Sequence, residues 1–239
     1  MQRYFGSIIG KQVLLTEEDQ YHVTKVMRMR PCDQIEVVSD GIAFLCNIKN
    51  IKPLEIEMIR PIHEKRELDT DVILIAALLK GDKFDFMLQK ATELGVSEIV
   101  LVSTERTIVR TDDYNSAKKL ERYRRILKEA AEQSHRTRIP DLYRFITLGD
   151  LNQIKADVKM IAYEDVAGNT KSFWNELKKS QPGQKIAVLI GPEGGFSKRE
   201  VEIAENFGFA KVSLGNRILR GETASLYALS VIASYIERK

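Results

Sequence analysis

Cysteine is scarce in this chain: two, Cys32 and Cys46, in 239 residues. Two thiols cannot build a disulfide framework, and with no CxxC and no Cys/His cluster a structural metal is not expected either. Long apolar runs are also missing. The longest, Val72 to Leu79, has eight residues, against the roughly 20 that a membrane helix needs. The opening Met1-Gln2-Arg3-Tyr4-Phe5 lacks the apolar stretch of a signal peptide. Charge of one sign is not in excess: 37 basic side chains face 34 acidic ones, for a net +3. Composition alone therefore announces no polyanion binder, although local patches can still hold one. The Walker pattern GxxxxGK[ST] and the dinucleotide pattern GxGxxG are absent. What is present is 44% hydrophobic and 30% charged residues, the composition of a globular, soluble chain, expected in the cytoplasm.

Residues 1–70 read as short strands with turns. Ile35 to Val38, then Ser39-Asp40-Gly41, then Ile42 to Ile48 is a hairpin signal, because glycine takes the positive φ of a tight turn. Leu54 to Ile59 adds a strand. Between them Thr16 caps a helix that is expected to reach about Met29 before Pro31 stops it. A small β-barrel with one helix is the economical reading, followed by a charged linker, His63 to Thr70. From Asp71 strands and helices alternate: strand Val72–Leu79, helix Phe84–Leu94, strand Glu98–Val102, helix Lys118–His135, strand Met160–Tyr163, helix Phe173–Lys179, strand Ile186–Ile190, helix Ser197–Phe207, strand Val212–Leu214 and helix Thr223–Glu237. Such alternation implies right-handed crossovers and a mainly parallel sheet.

Two loops carry the chemistry. Gly191-Pro192-Glu193-Gly194-Gly195-Phe196 leaves a buried strand and enters a helix. Its glycines let the backbone turn sharply and lie against a ligand. Ser197 and Glu200 form an S-x-x-E capping box, which occupies the helix's own amides and argues against a phosphate cradle. Leu214-Gly215-Asn216-Arg217-Ile218-Leu219-Arg220-Gly221-Glu222 also joins a strand to a helix. Apolar Ile218 and Leu219 beside two arginines suit a pocket for a flat heterocycle with guanidinium groups at its rim. The competing readings are a plain βα turn for the first loop and, for the second, inward packing with the arginines paired to acids such as Glu222. The last helix is rich in small and apolar residues, which calls for burial on most faces, in the core or against a second subunit.

These runs resemble the RsmE family of 16S ribosomal RNA methyltransferases, in the SPOUT class of S-adenosylmethionine enzymes. The resemblance rests on Gly191 to Phe196, on Leu214-Gly215 with Arg217 to Arg220, and on Glu222-Thr223-Ala224. It extends to Lys80-Gly81, Gln89 to Gly95, Glu129 to Ser134 with Arg136 and Pro140, and Arg3, Phe5, His22, Arg28 and Asp33. One departure is Cys32-Asp33, where the family usually has Gly-Asp. The resemblance implies an α/β chain of two domains: a PUA-like, RNA-binding β-barrel over 1–70, and a SPOUT methyltransferase domain over 71–239 with a trefoil knot. It also implies a homodimer with the cofactor sites at its interface.

The activity implied is methylation at N3 of a uridine in the decoding region of 16S rRNA, free or in the small subunit, with S-adenosylmethionine as cofactor and no metal or membrane. Leu189, Ile190, Gly191, Pro192, Glu193, Gly195, Leu214, Gly215, Ile218, Leu219, Thr223 and Ala224 are the expected cofactor residues. Arg220, Glu222 and Arg136 are the expected catalytic ones, with arginine stabilising charge on the ring. Glu193 and Glu222 are candidate proton acceptors only because they stand in the loops. Arg3, His22, Arg28 and Arg30 are the expected RNA contacts. Two other readings stay open: a non-catalytic RNA-binding assembly factor that keeps the pocket, and a phosphate-handling α/β enzyme.

Overall fold

The structure, a computed structural model, describes residues 1–107, 117–164 and 171–238. The chain divides into two compact units: Met1–Glu67 with Lys128–Arg138, and Leu68–Leu127 with Ile139–Lys239. Among the described residues no helix is long and apolar enough to cross a membrane.

The first unit is a six-stranded sheet of β1 (Arg3–Phe5), β2 (Ser7–Ile9), β3 (Gln12–Leu14), β4 (Gln34–Ser39), β5 (Ile42–Ile51) and β6 (Leu54–Ile62), in the order β1-β4-β5-β6-β3-β2. β1 runs parallel to β4, and the other pairs are antiparallel. β1 and β2 end the order on opposite sides, yet only Gly6 separates them in the chain, so the sheet has to curl. A Cβ on Gly6 would stand 2.6 Å from the Leu14 carbonyl oxygen, which leaves glycine as the residue for this corner. The expected hairpin is present: Asp40 and Gly41 take φ of 49° and 76° between β4 and β5. Tyr4, Val13, Ile35, Val37, Cys46, Ile48 and Ile56 fill the interior.

Helix α1 (Glu17–Tyr21) starts where expected, with the Asp19 amide donating to Thr16 Oγ1 at 3.2 Å. It continues as a π-helical turn over His22–Val26 and stops short of Met29. The cause is Arg28, whose φ of 51° leaves the helical region, while the Met29 amide turns back to the Val23 carbonyl.

The second unit is built on a parallel sheet. Its elements are β7 (Val72–Ala77), α2 (Asp82–Glu93), β8 (Glu98–Ser103), α3 (Ala117–Gln133), β9 (Asp141–Thr147), β10 (Val158–Ala162), β11 (Lys171–Ser172), α4 (Phe173–Leu177), β12 (Ile186–Ile190), α5 (Lys198–Asn206), β13 (Ala210–Ser213) and α6 (Gly221–Glu237). From Lys128 onward α3 belongs to the first unit. The strand order is β11-β13-β10-β12-β7-β8-β9, with every neighbour parallel.

β7 shows why the sheet is buried on both sides. Val72, Leu74 and Ala76 pack on one face with α2 and α6, through Phe84, Leu88, Ala228 and Leu229. Ile73, Ile75 and Ala77 pack on the other with Val201 and Ala204 of α5 and with Phe196 and Phe209. Such helix–sheet–helix layering is what unbroken apolar strands demand. β9 and β11 stand where periodicity marks no strand. Both lie at sheet edges; β11 has only two residues, both polar, and in β9 Arg144 interrupts the apolar residues Leu142, Tyr143, Phe145 and Ile146.

Candidate functional site

The first glycine loop leaves the carboxyl end of β12 and is shaped by its own backbone. The Gly195 amide donates to the Pro192 carbonyl at 2.9 Å, and Gly195 has φ of 64°, closing a tight turn. At Gly191 a Cβ would sit 3.0 Å from the Phe196 ring, so the missing side chain lets Phe196 fold beneath the loop. The capping box forms as expected. The Glu200 amide donates to Ser197 Oγ at 3.3 Å, and the Ser197 amide donates to Glu200 Oε2 at 2.7 Å.

The second loop leaves β13. Gly215 has φ of 123°, and its amide donates to Ser213 Oγ at 3.2 Å. At its far end Gly221 opens α6. A Cβ there would lie 2.7 Å from Leu79 Cδ2 and 3.2 Å from the Gly191 carbonyl oxygen. The two loops therefore touch backbone to backbone, a juxtaposition that the sequence could not supply.

Between them lies a cavity of about 460 Å³, within the range of small-molecule sites. Of the expected cofactor residues, Ile190, Gly191, Pro192, Glu193, Gly195, Leu214, Gly215, Ile218, Leu219 and Ala224 line it. Leu189 does not: it is fully buried in the core on the α5 face of the sheet, because alternate residues of β12 point to opposite faces. Thr223 is exposed on α6 and does not line the cavity either. Ile218 is 84% exposed; it belongs to the rim and not to a floor. Sequence reading missed Arg106, which follows β8, and Tyr163 and Glu164, which follow β10. The signal for them was positional: each sits just past the carboxyl end of a strand in a parallel sheet, where ligands bind.

The wall carries charges of both signs. Glu193 is 3.7 Å from Lys83 Nζ, and Arg106 Nη1 donates to the Gly194 carbonyl at 2.8 Å. Arg220 is the N-cap residue of α6, with its carbonyl accepting from the Ala224 amide at 2.7 Å, and it does not line the cavity. Glu222 lies in the first turn of α6. Its Oε2 is buried and has no hydrogen-bond partner among the described residues.

Two expectations need correction. Arg136 belongs to the first unit, is 3% exposed, and holds Glu67 with Nη2 at 2.6 Å and Nε at 3.1 Å. The guanidinium is thus engaged with a carboxylate of its own unit. Arg3 is likewise buried. Its Nε and Nη2 lie 2.8 and 2.7 Å from Glu36 Oε2, and Nη1 donates to the His135 carbonyl, so it offers nothing to RNA. His22 is half-buried, with Nδ1 2.9 Å from the Tyr4 hydroxyl. Burial, then Glu132 and Asp19, push that hydroxyl up to about 12, so Tyr4 stays a neutral partner. Arg28 and Arg30 are exposed, as RNA contacts require.

A helix-covered parallel sheet with a glycine-walled cavity beyond its carboxyl ends defines the class, and residues 66–233 match the family model of the RNA methyltransferase domain. The chain is 35% identical over 250 residues to the ribosomal RNA small subunit methyltransferase E of Bacillus subtilis (strain 168), covering 99% of this chain and 98% of that one. The crystal structure of a ribosomal RNA small subunit methyltransferase E from Neisseria gonorrhoeae, bound to S-adenosyl methionine, superposes with a TM-score of 0.86 at 30% identity over 98% of each chain. A Legionella pneumophila structure in complex with the same cofactor gives 0.88 at 31%, again over 98% of each. This chain belongs to the ribosomal RNA small subunit methyltransferase E family.

Proposed function

We propose that this protein transfers the methyl group of S-adenosylmethionine to N3 of a uridine in the decoding region of 16S rRNA. The observation that carries this reading is the backbone meeting of Gly191 and Gly221 beside a cavity of about 460 Å³. The residues fit the cofactor. Ile190, Leu214, Leu219 and Ala224 offer an apolar face for the adenine, and Gly191, Gly195 and Gly215 let backbone approach it without a Cβ in the way. Glu164 and Glu193 are the carboxylates that can face a cationic donor in a lining that also holds Arg106, Lys198 and Arg217.

Bound there, the cofactor supplies an electrophilic methyl group on a sulfonium. The chain has to align an acceptor with it, exclude water and stabilise charge on the base. N3 lies on the pairing edge of uracil, so the target base must be unpaired or flipped out to be reached. Exposed Arg28 and Arg30 are assigned to RNA phosphates, which makes binding salt-dependent.

The finer architecture belongs to the same proposal. Residues 1–70 are taken as a PUA-like barrel, supported by the curled sheet. Residues 71–239 are taken as a SPOUT domain whose glycine crossings form a trefoil knot. The working form is taken as a homodimer: Trp174 and Tyr227 stay 41% and 42% exposed on one chain, and a second copy is the assigned cover. Its place is the cytoplasm, with the ribosomal substrate.

Labelled cofactor and methyl-deficient small subunits test the activity. Incorporation at N3 of a single uridine, located by mass mapping, is the expected result. No incorporation despite RNA binding would favour a non-catalytic assembly factor. Gly215→Trp, which places an indole in the cavity, should lose cofactor binding by calorimetry; unchanged affinity would refute the placement.

A further inference from the structure

Deprotonated N3 spreads its charge onto O2 and O4 of the uracil ring, and that charge needs a cation in the site. Arg136 is closed onto Glu67 within the first unit, and Arg220 does not line the cavity. Arg106, Lys198 and Arg217 do line it, and Arg106 is the one whose guanidinium is hydrogen-bonded to the glycine loop among the described residues. It sits in a turn, Thr104-Glu105-Arg106-Thr107, directly after β8. The Thr107 amide donates to the Thr104 carbonyl at 3.1 Å, the Thr104 amide donates to Thr107 Oγ1 at 3.2 Å, and the two hydroxyl oxygens are 2.7 Å apart.

A second tie crosses from α5. Glu200, only 2% exposed, accepts the Glu105 amide on Oε1 at 2.7 Å while its other oxygen holds the Ser197 amide. The arginine stem then packs on the glycine loop. A Cβ at Gly194 would lie 3.1 Å from Arg106 Cβ and 3.4 Å from Cδ, and Nη1 reaches the Gly194 carbonyl at 2.8 Å. A guanidinium has five N–H donors. Among the described residues no carboxylate is paired with this one. An exposed side chain that lines the cavity, held by this many contacts and carrying unspent donors, is placed to meet an anionic oxygen arriving from solvent.

We propose that Arg106 is a catalytic residue whose guanidinium hydrogen-bonds O2 or O4 of the target uracil and stabilises the N3 anion, with Glu200 as the positioning residue of its turn. The N3 proton leaves to solvent. The N3 lone pair forms the bond to the methyl carbon, and the carbon–sulfur pair returns to sulfur, leaving a neutral thioether. This inference rests on the uridine reading above.

The test compares wild type, Arg106→Gln and Arg106→Lys on methyl-deficient small subunits across pH, with cofactor affinity and the salt slope of RNA binding measured separately. Arg106→Gln is expected to lose about 10²-fold in kcat near neutrality, the scale of removing one donor to a developing anion. The loss should shrink as rising pH ionises uracil unaided, and Arg106→Lys should recover part of the rate. Cofactor Kd and the KM for subunits should move by no more than about threefold. A parallel loss of cofactor affinity would make Arg106 a donor-binding residue and overturn the proposal. So would a raised KM with a shallower salt slope, a pH-independent loss, or no loss. Wild-type protein that forms N3-methyluridine beside an unaltered Arg106→Gln profile overturns this inference alone; wild type that forms none overturns the uridine reading and this inference with it.

Discussion

Cys32 holds a backbone conformation that glycine adopts at no steric cost. Its φ is 76°, and its amide donates to the Ile48 carbonyl at 2.8 Å. The cysteine bears the strain of this turn. A left-handed non-glycine residue costs about 1–2 kcal/mol, and glycine's greater chain entropy offsets about 0.5–1 kcal/mol of any relief. Cys32→Gly should therefore stabilise the protein by about 0.5–1 kcal/mol, seen as a higher urea midpoint. An unchanged or lower midpoint would show that the thiol makes contacts that repay the strain. Arg3 and Arg136 teach the opposite lesson about single residues. An arginine in a sequence reads as surface until its partner is known, and their partners, Glu36 and Glu67, are 33 and 69 residues away.

At the scale of elements, α5 was the most legible part of the site. Ser197 and Glu200 satisfy each other's amides within one turn, so their spacing alone announced the helix start. The second task of Glu200 was hidden, because Glu105 comes from a strand end 95 residues away. Glu200→Gln keeps the size but has one accepting oxygen for two amide donors. It should cost about 1–3 kcal/mol, the penalty for an unmet buried donor, and should raise hydrogen exchange at the Glu105 and Ser197 amides together. If only Ser197 exchanged faster, the tie between α5 and the Arg106 turn would be discounted. Elsewhere local signals stopped short. Thr16 marked the start of α1, but the stop came from the φ of Arg28, which no residue preference at that position foretells.

For the whole molecule, α6 carries both a residue of the cavity wall, Ala224, and an exposed aromatic, Tyr227. One face, through Ala224, Ala228, Leu229 and Ile232, is buried in the unit, while Tyr227 of α6 and Trp174 of α4 remain open beside a cavity of about 840 Å³. Sedimentation of wild type should give the mass of two chains. Tyr227→Arg, which puts a charge on that face, should shift the mass toward one chain and weaken cofactor binding with it. A wild type that sediments as one chain removes the dimer from the proposal. Apolar period, turn glycines and caps act over a few residues; they marked the central strands and the helices of the parallel sheet and the two loops worth watching, but neither β9 nor β11 nor the end of α1. Which loops share a cavity depends on strand order. β13, β10, β12, β7 and β8 stand side by side in the sheet although their residues are scattered from 72 to 213, so only tertiary structure could bring Arg106, Glu164, Gly191 and Gly215 to one wall. The same distance rule sealed Arg3 and Arg136 inside: long-range pairing is chosen by packing the whole chain, and short-range sequence pattern carries no record of it.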